Sequence, residues 1–157
     1  MPDLFHMEPQ QKDQWCWAAV TLSVERYYSP RSQLTQCAIA RGVLGFSCCS
    51  NPDRCNHPAK LQDALSGIGR LIGEPTSGPM SFTHIRQRLD EGRPICLRIG
   101  WHGGGGHFVI ICGYGLSRSG VELVDVEDPL FGPATVTYDE FISNYRSSGR
   151  WTFTYPV

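Results

Sequence analysis

An α+β fold, with helices gathered in the first half of the chain and a mostly antiparallel sheet in the second, is predicted by three observations. Apolar residues recur at helical spacing before about residue 92, and as short β-branched or aromatic runs after it. The two kinds of segment are separated along the chain instead of alternating, which disfavours a doubly wound parallel sheet. The 157 residues are 41% hydrophobic and 18% charged, the composition of a chain with a core and not of a disordered segment. One domain over residues 1–157 is expected, its helical part over about 10–92 and its sheet part over about 93–157. No internal repeat or Pro/Ser linker divides it.

From Gln14 to Tyr28, the residues Trp17, Val20, Val24 and Tyr27 mark one helical stripe. Asp13 is the expected N-cap, and Ser29-Pro30 ends the helix. A second short helix is expected over about 33–41, and a third over about 58–67 with Pro58 in its first position. Ser81 caps a fourth, Phe82 to Glu91, closed by Gly92. Strands are expected at Pro94–Trp101, His107–Tyr114, Val121–Val126, Ala134–Tyr138 and Trp151–Tyr155, with a brief helix near Asp139–Tyr145 before the last.

Composition removes several function classes. The net charge is −1, so no general field draws the chain to nucleic acid or an anionic bilayer. The longest apolar run, Phe108 to Cys112, is far short of the ~20 residues of a membrane span. The amino end lacks the basic-then-apolar pattern of a cleavable signal, which leaves the cytosol, a removed signal, or secretion by a route without one.

Cys16 lies between two tryptophans in the expected first turn of the longest helix, where backbone N–H groups and the helix dipole favour a thiolate. A thiol nucleophile needs a base, and His107 opens a strand directly after a glycine loop, held rigidly and with room beside it for a substrate. His102 falls on the far side of that loop, and His6, His57 and His84 read as ordinary structural histidines. An acid must orient the imidazole. In the segment Val121 to Pro129, period two places Glu122 and Asp128 on one face and Asp125 and Glu127 on the other. Asp128, at the strand end before Pro129, is the first choice and Asp125 the second. An oxyanion needs donors, which the Cys16 N–H and an upstream side-chain amide can supply. Gln10, Gln11 and Gln14 qualify by type.

Gln10, five residues, then Cys16-Trp-Ala at a helix start, and much later Gly106-His-Phe-Val-Ile-Ile-Cys-Gly-Tyr-Gly115, resembles the papain-like cysteine peptidases. Gln14-Trp-Cys-Trp-Ala-Ala together with Asp128-Pro-x-x-Gly132 looks closer to their bacterial branch, which includes avirulence effector proteases of plant pathogens and bacteriocin-leader peptidases. The resemblance covers about residues 7–133 and implies a papain-like fold. It also implies Gln10 for the oxyanion hole, Cys16 as nucleophile, His107 as base and Asp128 as orienting acid. Papain completes its triad with Asn and has a disulfide partner beside the nucleophile, which is absent here. The implied function is a thiol endopeptidase acting through an acyl-enzyme on a protein or peptide substrate, secreted from a bacterium as an effector or toxin. No cofactor or metal is implied, and a monomer is expected. The alternatives are a deamidase or transglutaminase-like enzyme acting on protein Gln, and an inactive peptide-binding module with Trp15, Trp17 and Trp101 lining a groove.

Seven cysteines are an odd number, so at least one is unpaired. Cys37, Cys48, Cys49 and Cys55, with His57 nearby, leave three alternatives: disulfides stapling a loop of low apolar content, free thiols, or a zinc site. Adjacent cysteines are poor tetrahedral partners, which disfavours zinc. Gly103 to Gly106 lacks a following Lys-Ser/Thr, so a phosphate loop is poorly supported.

Overall fold

The computed structural model describes residues 4–157. Within them the class is α+β, with helix α1 at Cys16–Tyr28, α2 at Gln36–Leu44, a 3-10 turn at Pro52–Cys55, and α3 at Leu61–Gly67. Strand β1 at Thr76–Ser77 and helix α4 at Phe82–Asp90 follow. Then come β2 at Ile95–Trp101, β3 at Gly106–Leu116, β4 at Glu122–Asp128, β5 at Gly132–Thr137, α5 at Tyr138–Asn144 and β6 at Gly149–Tyr155. Among the described residues no helix is long and apolar enough to cross a membrane.

Three helix starts differ from expectation. Asp13 does not cap α1: Trp15 occupies the N-cap and offers no side-chain bond, because the chain is still turning at Lys12–Trp15. The third helix begins at Leu61 instead of Pro58, with Lys60 extended before it. The second helix is shifted toward the C-terminus, where the Thr35 hydroxyl accepts from Ala38 N–H and Gly45 closes it at φ 77°. Ser81 caps α4 as expected, accepting from His84 N–H. The Thr76–Ser77 strand carries no apolar pattern and is defined only by pairing with β6.

All six strands pair antiparallel in the order β1-β6-β2-β3-β4-β5. Alternation along the strands divides the core in two. Cys96, Phe108, Ile110 and Tyr155 face a cluster with Trp15, Trp17, Val20, Leu61 and Leu65, on the side of helices α1 to α3. Leu97, Ile99, Val109, Ile111, Val124 and Val126 face the other way, onto Phe82 and Ile85 of α4, Phe141 of α5, Tyr145 and Trp151. The sheet is therefore covered on both faces, and β1 and α4, from the part expected to be helical, join the sheet and its far side.

Candidate active site

The first turn of α1 is fastened to the polar loop that precedes α3. The Trp15 indole N–H donates to Cys55 O at 2.7 Å, the Trp17 indole N–H to His57 O at 3.0 Å, and Gln14 N–H to Asn56 Oδ1 at 2.9 Å. Disulfides Cys37–Cys49 and Cys48–Cys55 hold that loop, which has few apolar side chains to hold itself. Among the three alternatives for the cysteine cluster, the structure takes the disulfides. Cys16, Cys96 and Cys112 remain free. Trp15 and Trp17 are 0% exposed, so they do not line a groove as the binding-module alternative required: their rings are core and their N–H groups are anchors. Between them Cys16, at the first position of α1, keeps 9% of its surface in contact with solvent.

His107 comes to Cys16 from the start of β3. Its Nε2 lies 2.8 Å from Asp128 Oδ1, and the Cys16 side chain lies beside the ring, which leaves Nδ1 to face the sulfur. Burial opposes the imidazolium, but the hydrogen bonds and negative charge of Asp128 and Cys16 outweigh it and raise the His107 pKa from 6.5 to about 9.

Asp128 is 2% exposed, on the buried face of β4 with Val124 and Val126, as the period-two reading placed it. Its Oδ1 also accepts from Leu130 N–H at 2.8 Å and Phe131 N–H at 3.0 Å, while Oδ2 accepts from the Tyr145 hydroxyl at 2.7 Å. Burial alone would raise its pKa; donation and charge from His107, with Phe131 N–H and Tyr145, hold it below the usual aspartate value. The carboxylate is thus an acceptor only, and His107 Nε2 carries the proton of their bond. The Asp-Pro-x-x-Gly segment has a physical reason: the carboxylate closes the turn by accepting two of its N–H groups, and Gly132 completes it at φ 86°. Asp125 is held elsewhere, on the opposite face, accepting from Thr135 Oγ1 at 2.7 Å.

Gln10 is half-buried, and its N–H donates to Pro129 O at 3.0 Å, which ties it to the turn that follows Asp128. Its carboxamide Nε2 donates to Lys12 O and Asp13 O at 3.0 and 2.8 Å, and its Oε1 is buried with no partner. Both amide hydrogens therefore face backbone carbonyls, so donation to an oxyanion requires one to be released. Gln11 and Gln14 are exposed. His102, His6, His57 and His84 are exposed too, apart from the Cys16–His107–Asp128 cluster.

Several neighbours escaped sequence reasoning or, like Trp101, were read there only as a groove wall. Tyr145 is 1% exposed, and Trp101 stacks on both His107 and Tyr145, with centroids at 5.9 and 6.3 Å. Phe131 meets the imidazole edge-on at 6.0 Å. Gln36, buried in α2, accepts from Gln11 N–H and donates to Pro9 O, clamping the segment that carries Gln10. The aromatic-rich second half hinted at the first three; a lone Gln in a short helix offers no signal.

Among curated proteins, no relative matches the chain. The protein family described as papain-like cysteine protease AvrRpt2 matches residues 3–146, nearly the whole chain, and the resemblance drawn from the motifs pointed to the same group. The chain belongs to this papain-like cysteine protease family and is a cysteine peptidase, a hydrolase.

Proposed function

We propose that the protein is an endopeptidase in which Cys16 is the nucleophile, His107 the general base and acid, and Asp128 the residue that orients the imidazole. The observation that carries this is the buried bond between His107 Nε2 and Asp128 Oδ1, with Cys16 beside the same imidazole and Nδ1 left free to serve it. With its pKa raised, His107 already holds the proton at Nδ1 when Cys16 Sγ adds to the peptide carbonyl. The resulting oxyanion is met by the Cys16 N–H at the start of α1 and, once one of its amide hydrogens is released, by Gln10. The C–N bond then breaks as His107 Nδ1–H protonates the leaving amine, giving a thioester on Cys16. Water, losing its proton to His107, hydrolyses that thioester and restores the thiol. Asp128 stabilises the imidazolium at each stage without taking up the proton.

Work outside a reducing cytosol is supported by the two disulfides, in keeping with the secreted bacterial role implied by the motif resemblance. The test is cleavage of a peptide library by wild type and Cys16→Ala, with ammonia release measured in parallel. New peptide termini that vanish in Cys16→Ala, without stoichiometric ammonia, are the expected result. Ammonia release without chain cleavage overturns the endopeptidase reading in favour of a deamidase.

A further inference from the structure

On the strand next to β3, the sheet presents an arginine whose strand neighbours are two phenylalanines and whose guanidinium lies over Gly106, the residue before His107. Arg98 on β2 is the register partner of Phe108 on β3, the residue after His107, and of Phe153 on β6. The three side chains share the face of the sheet that looks toward α3. They form part of the lining of a cavity of about 430 Å³, with Lys60 and Glu74 also contributing. Phe153 is 41% exposed, high for a large apolar side chain.

Arg98 is held in place. The register of β2 and β6 shifts between Arg98 and Ile99, leaving Thr152 as the extra residue of a bulge. The Thr152 hydroxyl accepts from Arg98 Nη1 and donates to Arg98 O, both at 3.1 Å. The facing glycines Gly100 and Gly106 leave the room it needs: a Cβ at Gly106 would fall 2.5 Å from the guanidinium, and one at Gly100 would fall 3.3 Å from Nη1. The guanidinium therefore lies over the backbone immediately before His107. Among the described residues neither Arg98 nor Lys60 forms an ion pair, and Glu74 is the single acid of the lining. Among the described residues Nε and Nη2 of Arg98 meet no acceptor, in the fork geometry that matches a carboxylate.

Resting on the endopeptidase reading above, we propose that this cavity takes an acidic side chain of the substrate, Asp or Glu, within two residues of the scissile bond. An extended peptide advances about 3.3 Å per residue, so a guanidinium one strand from Phe108 is within reach of a side chain that close to the reacting carbonyl. Phe108 and Phe153 pack against the methylenes of that side chain, and Arg98 binds its carboxylate.

The test uses an amide-capped peptide library, so that no terminal carboxylate competes, profiled for cleavage by wild type, Arg98→Gln and Arg98→Lys. Wild type is expected to enrich Asp or Glu at one position within two residues of the cut. There, replacing Glu by Gln in the peptide should lower kcat/KM roughly tenfold to hundredfold, the scale of a charge-assisted hydrogen-bonded pair. Arg98→Gln should shrink that ratio to about threefold or less, while Arg98→Lys, which keeps the charge but not the fork, should fall between the two. Cleavage by wild type without acidic preference, or an unchanged Glu/Gln ratio in a folded Arg98→Gln, overturns the proposal and leaves the endopeptidase reading standing. Should Arg98→Gln fail to fold, the wild-type Glu/Gln ratio decides alone. Cleavage of no peptide by wild type overturns the endopeptidase reading and this one with it.

Discussion

Replacing Asp128 by Asn and by Ala separates orientation from charge. Asp128→Ala removes the acceptor of four donors at once: His107 Nε2–H, Leu130 N–H, Phe131 N–H and the Tyr145 hydroxyl. The imidazole loses its anchor, and the expected loss in kcat is about two to four orders of magnitude. Breaking a buried charged pair also costs ~3–5 kcal/mol of stability, so thermal melts must accompany the assay. In serine-protease triads an Asp→Asn exchange costs about 10⁴ in kcat because the amide selects the wrong imidazole tautomer. Here the outcome differs, because the Tyr145 hydroxyl, now a donor to Oδ2, can rotate and accept from the new amide N–H. The amide oxygen of Asp128→Asn, placed where Oδ1 now lies, would still accept from His107, Leu130 and Phe131. Geometry survives and charge does not, so kcat should stay within about tenfold of wild type. The His107 pKa should fall from about 9, carrying the alkaline limb of kcat/KM to lower pH. Asp125→Ala, which disturbs only the bond to Thr135, is the control and should change kcat less than about tenfold. Steady-state kinetics on a fluorogenic peptide across pH reads all three. A folded Asp128→Asn as inactive as Asp128→Ala, or an alkaline limb that does not move, refutes the reasoning.

Tyr145→Phe removes one donor to Asp128 and should cost ~1.5–3 kcal/mol in stability, with a measurable rise in the Asp128 pKa by titration. An unchanged carboxyl titration contradicts it. Stability should also depend on pH in a definite direction. His107 has its folded pKa raised, so its contribution is complete below about pH 6.5 and is lost as pH rises through about 9; Asp128 has its folded pKa lowered, so its contribution is present above its unfolded value and is lost as pH falls through the folded one. Chemical denaturation across pH should therefore show wild type losing stability toward pH 9 and His107→Ala losing less. Thiol titration of denatured, unreduced protein should count three cysteines, and reduction should lower the melting temperature, since a disulfide contributes ~2–4 kcal/mol. A count of all seven refutes the pairing.

What could be read from the sequence was local or periodic. Ser81, Phe82 and Gly92 carry a complete helix start and stop within a dozen residues, and α4 follows them. Period two assigned Asp128 and Asp125 to opposite faces, and the burial along β4 agrees. Asp13 misled because a good capping residue can sit in a turn whose geometry is set by contacts far along the chain, those of Gln14 and Trp15 with Asn56 and Cys55. The same long-range anchoring explains why the two tryptophans, read as groove walls in one alternative, are core. Tyr145 and Arg98 could not be found because their roles depend on register, a strand-end Asp meeting a residue after α5 and a bulge turning a guanidinium toward Gly106. Neither is encoded in any short window of sequence.

Labelling with an epoxide or iodoacetamide probe, mapped by peptide mass spectrometry on the native protein, tests the central claim most directly, because three free thiols compete for the probe. Cys96 is buried with its pKa pushed up, and burial also raises Cys112, to about 12. Only Cys16 has an imidazole against it. Label on Cys16 alone, slowed strongly in His107→Ala, is the predicted result. Label on Cys112 or Cys96 instead, or a Cys16 rate that His107→Ala leaves unchanged, contradicts the assignment of Cys16 as a nucleophile served by His107.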